Sequence, residues 1–359
     1  MNYNTSITIS GRMIDIGSPV YFVADIAANH NGDLDTARKL IWLAKEAGAD
    51  AVKFQHFLAD KIVSDYGFRH LGAQFSHQAK WKKSVYDTYR DAEFDRSWNG
   101  VLAKEAQNAQ IDYFTSPYDF DAVCELDEYV PAYKIGSGDI TWLELIEFLA
   151  KRGKPVMIAT GASQMWETEQ AVDTVLKYNR DIVLMQCNTN YTGEPDNFRH
   201  INLNVLKTYA VRYPGMVLGL SDHTPGHAAV LGAVALGARV IEKHFTADTR
   251  QTGPDHAFSM NPQTWKEMVD RSRELESALG SGIKTVEDNE KETVVLQRRA
   301  VRLKADTAQG TVLAEHMLEE LRPAPPDAVF PYQKKEILGR RLKTSKQRGE
   351  YIKWEDIDL

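Results

Sequence analysis

Two histidines carry the first chemical signal. His223 lies in GLSDHT (219–224) and His244 in ARVIEKHFT (238–246), about one strand–helix unit apart, each near the end of a run that reads as a β-strand. Side chains alternate faces along a strand, so Val240, Glu242 and His244 share one face, and Ser221 and His223 share another. Adjacent strands lie about 4.8 Å apart, so two imidazoles at neighbouring strand ends can converge on one ion. Neutral imidazole suits Mn, Fe, Co or Zn, and a site with two protein ligands keeps positions open for water and substrate. The alternative is that each histidine is a hydrogen-bonded rim residue.

Cationic groups belong to the same pattern. Lys53 follows Val52 in DAVKFQ and shares a face with Gln55, while Lys134 stands in YKIGSGD just before a glycine-rich turn. A lysine inside a strand is costly to bury unpaired. Either it meets a barrel carboxylate such as Asp25 or Glu242, or the two lysines form an anion cradle with Ser116, Ser137, Ser221 and turn N–H groups. Asp25, Asp139 and Asp255 fall at or just after the ends of the first, fourth and eighth strand candidates, where a carboxylate can act as base, metal ligand or ligand anchor. Asp is also a common loop and cap residue, and Asn-Gly in NHNG (29–32) is a turn signal. Cys187, at a strand end, reads as buried and inert.

The elements that must position these residues are legible as a rhythm. Strand candidates at 20–27, 50–55, 111–116, 132–137, 155–160, 182–187, 216–221 and 238–245 alternate with helical patterns. In DLDTARKLIWLAKEAGAD, Ala37, Leu40, Ile41, Ala44 and Ala47 recur at helical spacing, with Asp33 or Asp35 as cap and Gly48 as stop. Eight such units in about 260 residues predict a (β/α)8 TIM barrel. A doubly wound sheet would call for a glycine-rich GxGxxG turn after the first strand, and DIAANHNG is not one. SITISGRMIDI at the start predicts a β-hairpin. The interval 56–92, rich in aromatics and lysine, is too long for an ordinary βα loop and is expected to shape the substrate site. The barrel domain is placed at 1–282, a charged linker at 283–296 and a small β-rich domain at 297–359. In that last domain TAQGTVLAEHML (307–318) and KQRGEYIKWEDI (346–357) form a weak repeat: Gly, then apolar residues at +2, +3 and +8.

Bulk properties narrow the function. The chain has 359 residues and a formal net charge of −7, which disfavours a nucleic-acid binder. Its two cysteines, Cys124 and Cys187, fit neither a disulfide scaffold nor a zinc spacing. The N-terminus lacks a basic start followed by an apolar run, and no apolar stretch approaches the ~20 residues that span a bilayer. A cytoplasmic protein without membrane or nucleic-acid partners is expected.

Taken together, ADIAANHNGDLDTARKLIWLAKEAGADAVKFQ, FTSPYDFDAV, YKIGSGDI, GLSDHTPG, IEKHFT and TGPDHAFSM resemble the sialic acid synthase family, the nonulosonic acid synthases. The C-terminal segment, including LRPA (321–324), is similar to the antifreeze-like (SAF) domain of that family. The resemblance implies condensation of phosphoenolpyruvate with the open-chain aldehyde of an N-acetylated amino hexose, giving a nine-carbon 2-keto acid and phosphate. N-acetylmannosamine is the default sugar. A 2,4-diacetamido-2,4,6-trideoxy hexose, leading to legionaminic or pseudaminic acid, is the alternative. It also implies a divalent ion, Mn2+ or Mg2+, on His223 and His244. Lys53 and Lys134 would hold phosphoenolpyruvate, assisted by Ser116, Ser137 and Ser221, and Asp139 would handle the water that adds to it. Asp25, Gln55, Tyr191 and Asp255 would line the metal and sugar site, with Thr189 near the substrates. Arg322 resembles an arginine that reaches the partner subunit's barrel, which implies a domain-swapped homodimer. Asp25 and Asp139 depart from a frequent Glu, Thr189 from an Asn found in some members, and Ala159 from a Ser; these changes bear on sugar identity. A metal aldolase or shorter keto-acid synthase would leave the C-terminal domain unexplained, and a non-catalytic carbohydrate-binding protein would leave the histidine pair and lysines without a role.

Overall fold

The structure is a computed structural model that describes residues 3–72, 78 and 81–358. It divides into two compact units, Met1–Gly280 and Ser281–Leu359. In the first, a hairpin of β1 (Ser6–Ile9) and β2 (Arg12–Asp15) precedes eight parallel strands. These are β3 (Tyr21–Asp25), β4 (Ala51–His56), β5 (Asp112–Pro117), β6 (Tyr133–Ile135), β7 (Val156–Ala159), β8 (Ile182–Cys187), β9 (Val217–Asp222) and β10 (Ala238–His244). Each pairs with the next, and β10 returns to β3 to close the barrel, so the eight-unit expectation holds and the open doubly wound sheet does not.

Local sequence explains the helical layer. The helix Leu34–Glu46 starts where Asp33 Oδ1 accepts the Thr36 N–H at 2.7 Å, buries Ala37, Leu40, Ile41 and Ala44, and stops before Gly48, whose φ is +93°. The last barrel helix, Pro262–Leu279, has Asn261 as its cap, proline in its first turn and a buried Trp265. Between β4 and β5 the expected long loop is instead built largely of short helices, Ala59–Ile62, Asp65–His70 and Val85–Asp91, two of them capped by Ser64 and Ser84. Residues 73–77, 79 and 80 of that interval lie outside the described residues. Among the described residues no helix is long and apolar enough to cross a membrane.

Two apolar layers follow from strand alternation. One lies between strands and helices. The other fills the barrel, where Val23, Phe114, Met157, Met185 and Val240 cluster with Ile7, Ile9 and Ile14 of the hairpin. The hairpin therefore plugs the barrel opposite the strand C-termini.

The second unit contains β11 (Ala300–Leu303) and β12 (Leu318–Leu321), paired antiparallel, plus isolated bridges. The weak repeat has a physical counterpart: Thr307 and Lys346 exchange both backbone hydrogen bonds, and the +3 and +8 residues Leu313, Leu318, Ile352 and Ile357 share one core. Within 283–296 a helix begins at Lys291 and runs to Gln297, and Val295 O accepts the Ala324 N–H at 2.8 Å.

Ile9 is fully buried in the plug. Ile9→Ala is expected to cost about 2–5 kcal/mol, read as a lower urea midpoint of the barrel transition. A loss under about 1 kcal/mol would mean that the hairpin does not seal the interior.

Candidate active site

The C-terminal ends of the strands gather four buried charges. Lys53 Nζ on β4 lies 2.7 Å from Asp25 Oδ2 on β3, 3.3 Å from Ser116 Oγ on β5 and 3.7 Å from Glu242 Oε1 on β10. Lys134 Nζ on β6 is 3.3 Å from the same Glu242 Oε1, which also accepts Ser221 Oγ–H at 3.2 Å. Both ammonium groups thus reach one carboxylate oxygen, while the buried Glu242 Oε2 has no hydrogen-bond partner among the described residues. Asp25 further accepts Gln55 Nε2–H at 3.0 Å and the Ala27 N–H at 3.0 Å. Burial alone would raise the Asp25 pKa, but the charge of Lys53, His244 and the hydrogen bonds from Lys53 and Gln55 outweigh it and hold the carboxyl below its usual value. Burial likewise opposes the charge on Lys53, and Asp25 and Glu242 overcome it, raising that pKa. The expected barrel-carboxylate partners of the lysines are therefore present, within a space that hydroxyls also face.

The two histidines stand above this cluster. Their ring centroids are 5.3 Å apart, with Tyr191 at 4.3 Å from His223 and Phe258 at 4.9 Å from His244. Burial lowers the pKa of both, His244 to about 3, so both rings are neutral at pH 7. His223 Nδ1 donates to Asn188 O at 3.0 Å, which fixes its tautomer and leaves Nε2 as the lone-pair nitrogen. Among the described residues the buried His244 Nδ1 has no hydrogen-bond partner, and its Nε2 is 3.6 Å from Asp25 Oδ2. No group of three or more His, Cys, Asp or Glu among the described residues is arranged to hold a metal. Two neutral imidazoles, one with its tautomer set from behind, fit an ion that takes its remaining ligands from water or substrate.

Asp25, Lys53, Gln55, Ser116, Lys134, Ser137, Tyr191, Ser221, His223, Glu242 and His244 line one narrow well. It shares Gln55, Ser137, Tyr191 and His244 with a wider chamber of about 380 Å³, on whose wall Asp139 and Asp255 sit. That is a usual size for a small-molecule site. Asp139, in the 3-10 turn after β6, has its carboxyl raised to about 6 by burial, against the pull of Lys134. Burial raises Asp255 to about 7, although its Oδ2 accepts the Ala28 N–H at 3.2 Å. Thr189 does not line either space; its methyl packs beside Gly161, whose N–H donates to Ser137 Oγ at 3.0 Å. Arg322 is exposed on the second unit. Cys187 is buried, as expected.

Sequence reasoning did not single out Tyr118, Phe57, Trp81 or Tyr89, which line the chamber, nor Asn188, whose backbone carbonyl orients His223. Tyr118 stood within a quoted motif and the other three within the aromatic interval 56–92. A backbone acceptor leaves no signal in residue type.

The raised Asp139 carboxyl gives a signed prediction. The folded protein keeps this proton up to about pH 6, whereas the unfolded chain loses it near the ordinary Asp value of 3.8. Asp139 therefore subtracts stability as pH rises through that window. Asp139→Asn should leave stability nearly unchanged at pH 4 and gain relative to wild type by pH 6.5, with the gap constant above. A gap independent of pH in urea titrations would contradict this.

The sequence model of the NeuB family matches residues 40–284, and that of the SAF domain matches residues 298–358. The chain is 36% identical over 354 residues to an uncharacterized protein of Methanocaldococcus jannaschii, with 98% of both chains covered. It is 34% identical over 345 residues to the N,N'-diacetyllegionaminic acid synthase of Legionella pneumophila, with 94% of both covered. The crystal structure of N-acetylneuraminic acid (sialic acid) synthetase from Leptospira borgpetersenii in complex with citrate is similar with a TM-score of 0.70 at 30% identity, over 80% of this chain and 95% of that one. The chain belongs to the NeuB family of sialic-acid-type synthases and carries a SAF domain after its barrel.

Proposed function

We propose that this chain condenses phosphoenolpyruvate with the open-chain aldehyde of an N-acetylated amino hexose and releases phosphate. One observation carries the reading: two buried ammonium groups meet at one carboxylate oxygen directly beside a pair of neutral imidazoles. Lys53, Lys134, Asp25 and Glu242 sum to zero charge. A highly charged anion would be accommodated there with the two positive charges of a divalent cation that His223 and His244 would hold. Such an ion, Mn2+ or Mg2+, would supply Lewis-acid polarisation of the sugar aldehyde. Lys53 and Lys134 bind the carboxylate and phosphate of phosphoenolpyruvate, with Ser116, Ser137 and Ser221 as further donors. C3 of phosphoenolpyruvate forms a bond to the aldehyde carbon, whose oxygen takes up a proton. Water adds at C2, and the C2–O bond to phosphate breaks to leave the ketone. Asp139, with a carboxyl titrating near 6, takes the proton from that water.

N-acetylmannosamine is one sugar of this class. A 2,4-diacetamido-2,4,6-trideoxy hexose is favoured by a specific feature: Phe57, Ile62, Trp81 and Ala92 give the chamber an apolar wall suited to a methyl group and a second acetamido methyl. The name of the Legionella pneumophila relative supports the same sugar class. Arg322 is proposed to complete the sugar site of a partner subunit in a domain-swapped homodimer, a reading that rests on its LRPA motif.

Chelated protein should release no phosphate, and Mn2+ should restore release with one of the two sugars. His223→Ala or His244→Ala should lower the rate at least 100-fold, within the range for losing a metal-positioned step. Metal-loaded, folded protein that is silent with both sugars would remove this reaction. Mixing His223→Ala chains with Arg322→Ala chains should recover activity if sites are shared between subunits; no recovery after confirmed chain exchange would assign each site to one chain.

A further inference from the structure

Behind the two histidines lies a buried ion pair that touches neither the well nor the chamber. Lys243 Nζ is 2.5 Å from Asp222 Oδ2 and donates to Thr224 O at 2.6 Å. Asp222 Oδ2 accepts the Thr224 hydroxyl at 2.8 Å, and Oδ1 accepts the Thr224 N–H at 3.2 Å. Asp222 and Lys243 are each 2% exposed and are direct cross-strand neighbours on β9 and β10. Strand alternation puts them on the face opposite the imidazoles, so they do not meet a ligand.

A buried pair of this kind carries a desolvation cost of several kcal/mol per ion, and apolar residues of similar volume pack such a site as well. Its placement supplies what apolar residues would not. One ammonium group holds Asp222 and Thr224, the residues on either side of His223, and Lys243 itself precedes His244. Among the described residues His244 Nδ1 has no hydrogen-bond partner, so the strand that carries the ring shares with the Phe258 contact the task of holding it.

We infer that the Asp222–Lys243 pair, with Thr224, is a positioning element that fixes the two imidazoles at a spacing fit for one ion. The metal half of this rests on the reading above; the positioning half does not. The test uses full-length Asp222→Asn/Lys243→Met, which removes both charges at similar volume and should fold, as circular dichroism would show. In metal-free protein labelled with 15N-histidine, the ring signals of His223 and His244 should shift or broaden while those of His30 and His56 stay in place. Mn2+ affinity should fall about 10–100-fold, as for other residues that orient metal ligands from behind. Unmoved His223 and His244 signals in a folded variant would overturn the inference, whatever the affinity. If wild type binds no Mn2+, the metal reading falls and the metal-free ring signals still decide the positioning role. Should the double variant not fold, Thr224→Val, which deletes one hydrogen bond of the set, is read in the same way through the His223 signal.

Discussion

Lys53, Lys134, Asp25 and Glu242 are each no more than 4% exposed, and a lone charge buried to that degree is not tolerated. Their mutual pairing is what permits burial, and it holds only while four strands keep register. Asp25 comes from β3, Lys53 from β4, Lys134 from β6 and Glu242 from β10. Barrel closure brings β10 to β3, with His244 opposite Asp25, and so brings the last strand's carboxylate to the first strands' ammonium groups. A slip of one residue in any of these strands would turn its charge to the other face. The site and the fold are held by the same constraint.

Around that cluster the chemistry is layered. The balanced charges and both imidazoles line the narrow well, His244 also faces the wider chamber, and Asp139 and Asp255 sit on that chamber's wall with raised carboxyl pKa values. Groups that must stay ionised are paired, whereas Asp139 and Asp255, whose carboxyls burial raises, form no ion pair among the described residues. That separation of environments lets carboxylates that line adjoining spaces take different protonation states.

Much of this was legible because a strand encodes two faces in its sequence. Alternation placed Lys53 with Gln55 and Glu242 with His244, and both pairs prove to face one well. Apolar β-branched runs marked all eight strands, since each is buried on both sides. What the pattern did not encode is equally physical. The excursion after β4 reads as loop because its helices of four to seven residues are too short to show a period. The link from His223 to Asn188 runs through a carbonyl that any residue would offer. Asp222 and Lys243 look like ordinary strand-end polar residues until the register sets them opposite each other.

The hairpin plug has a consequence for how the chain is made. Its isoleucines emerge before any of the barrel strands during synthesis, yet their apolar neighbours run through Val240 on the eighth barrel strand. Tyr21 and Val240, paired across the closing seam, are 219 positions apart. Water therefore keeps access to the barrel interior until nearly the whole first unit has been synthesised, and the early strands present an open hydrogen-bonding edge throughout. Such long-range closure slows folding. A nascent chain stalled before β10 is a sticky, open sheet of seven barrel strands, the species a chaperone would meet.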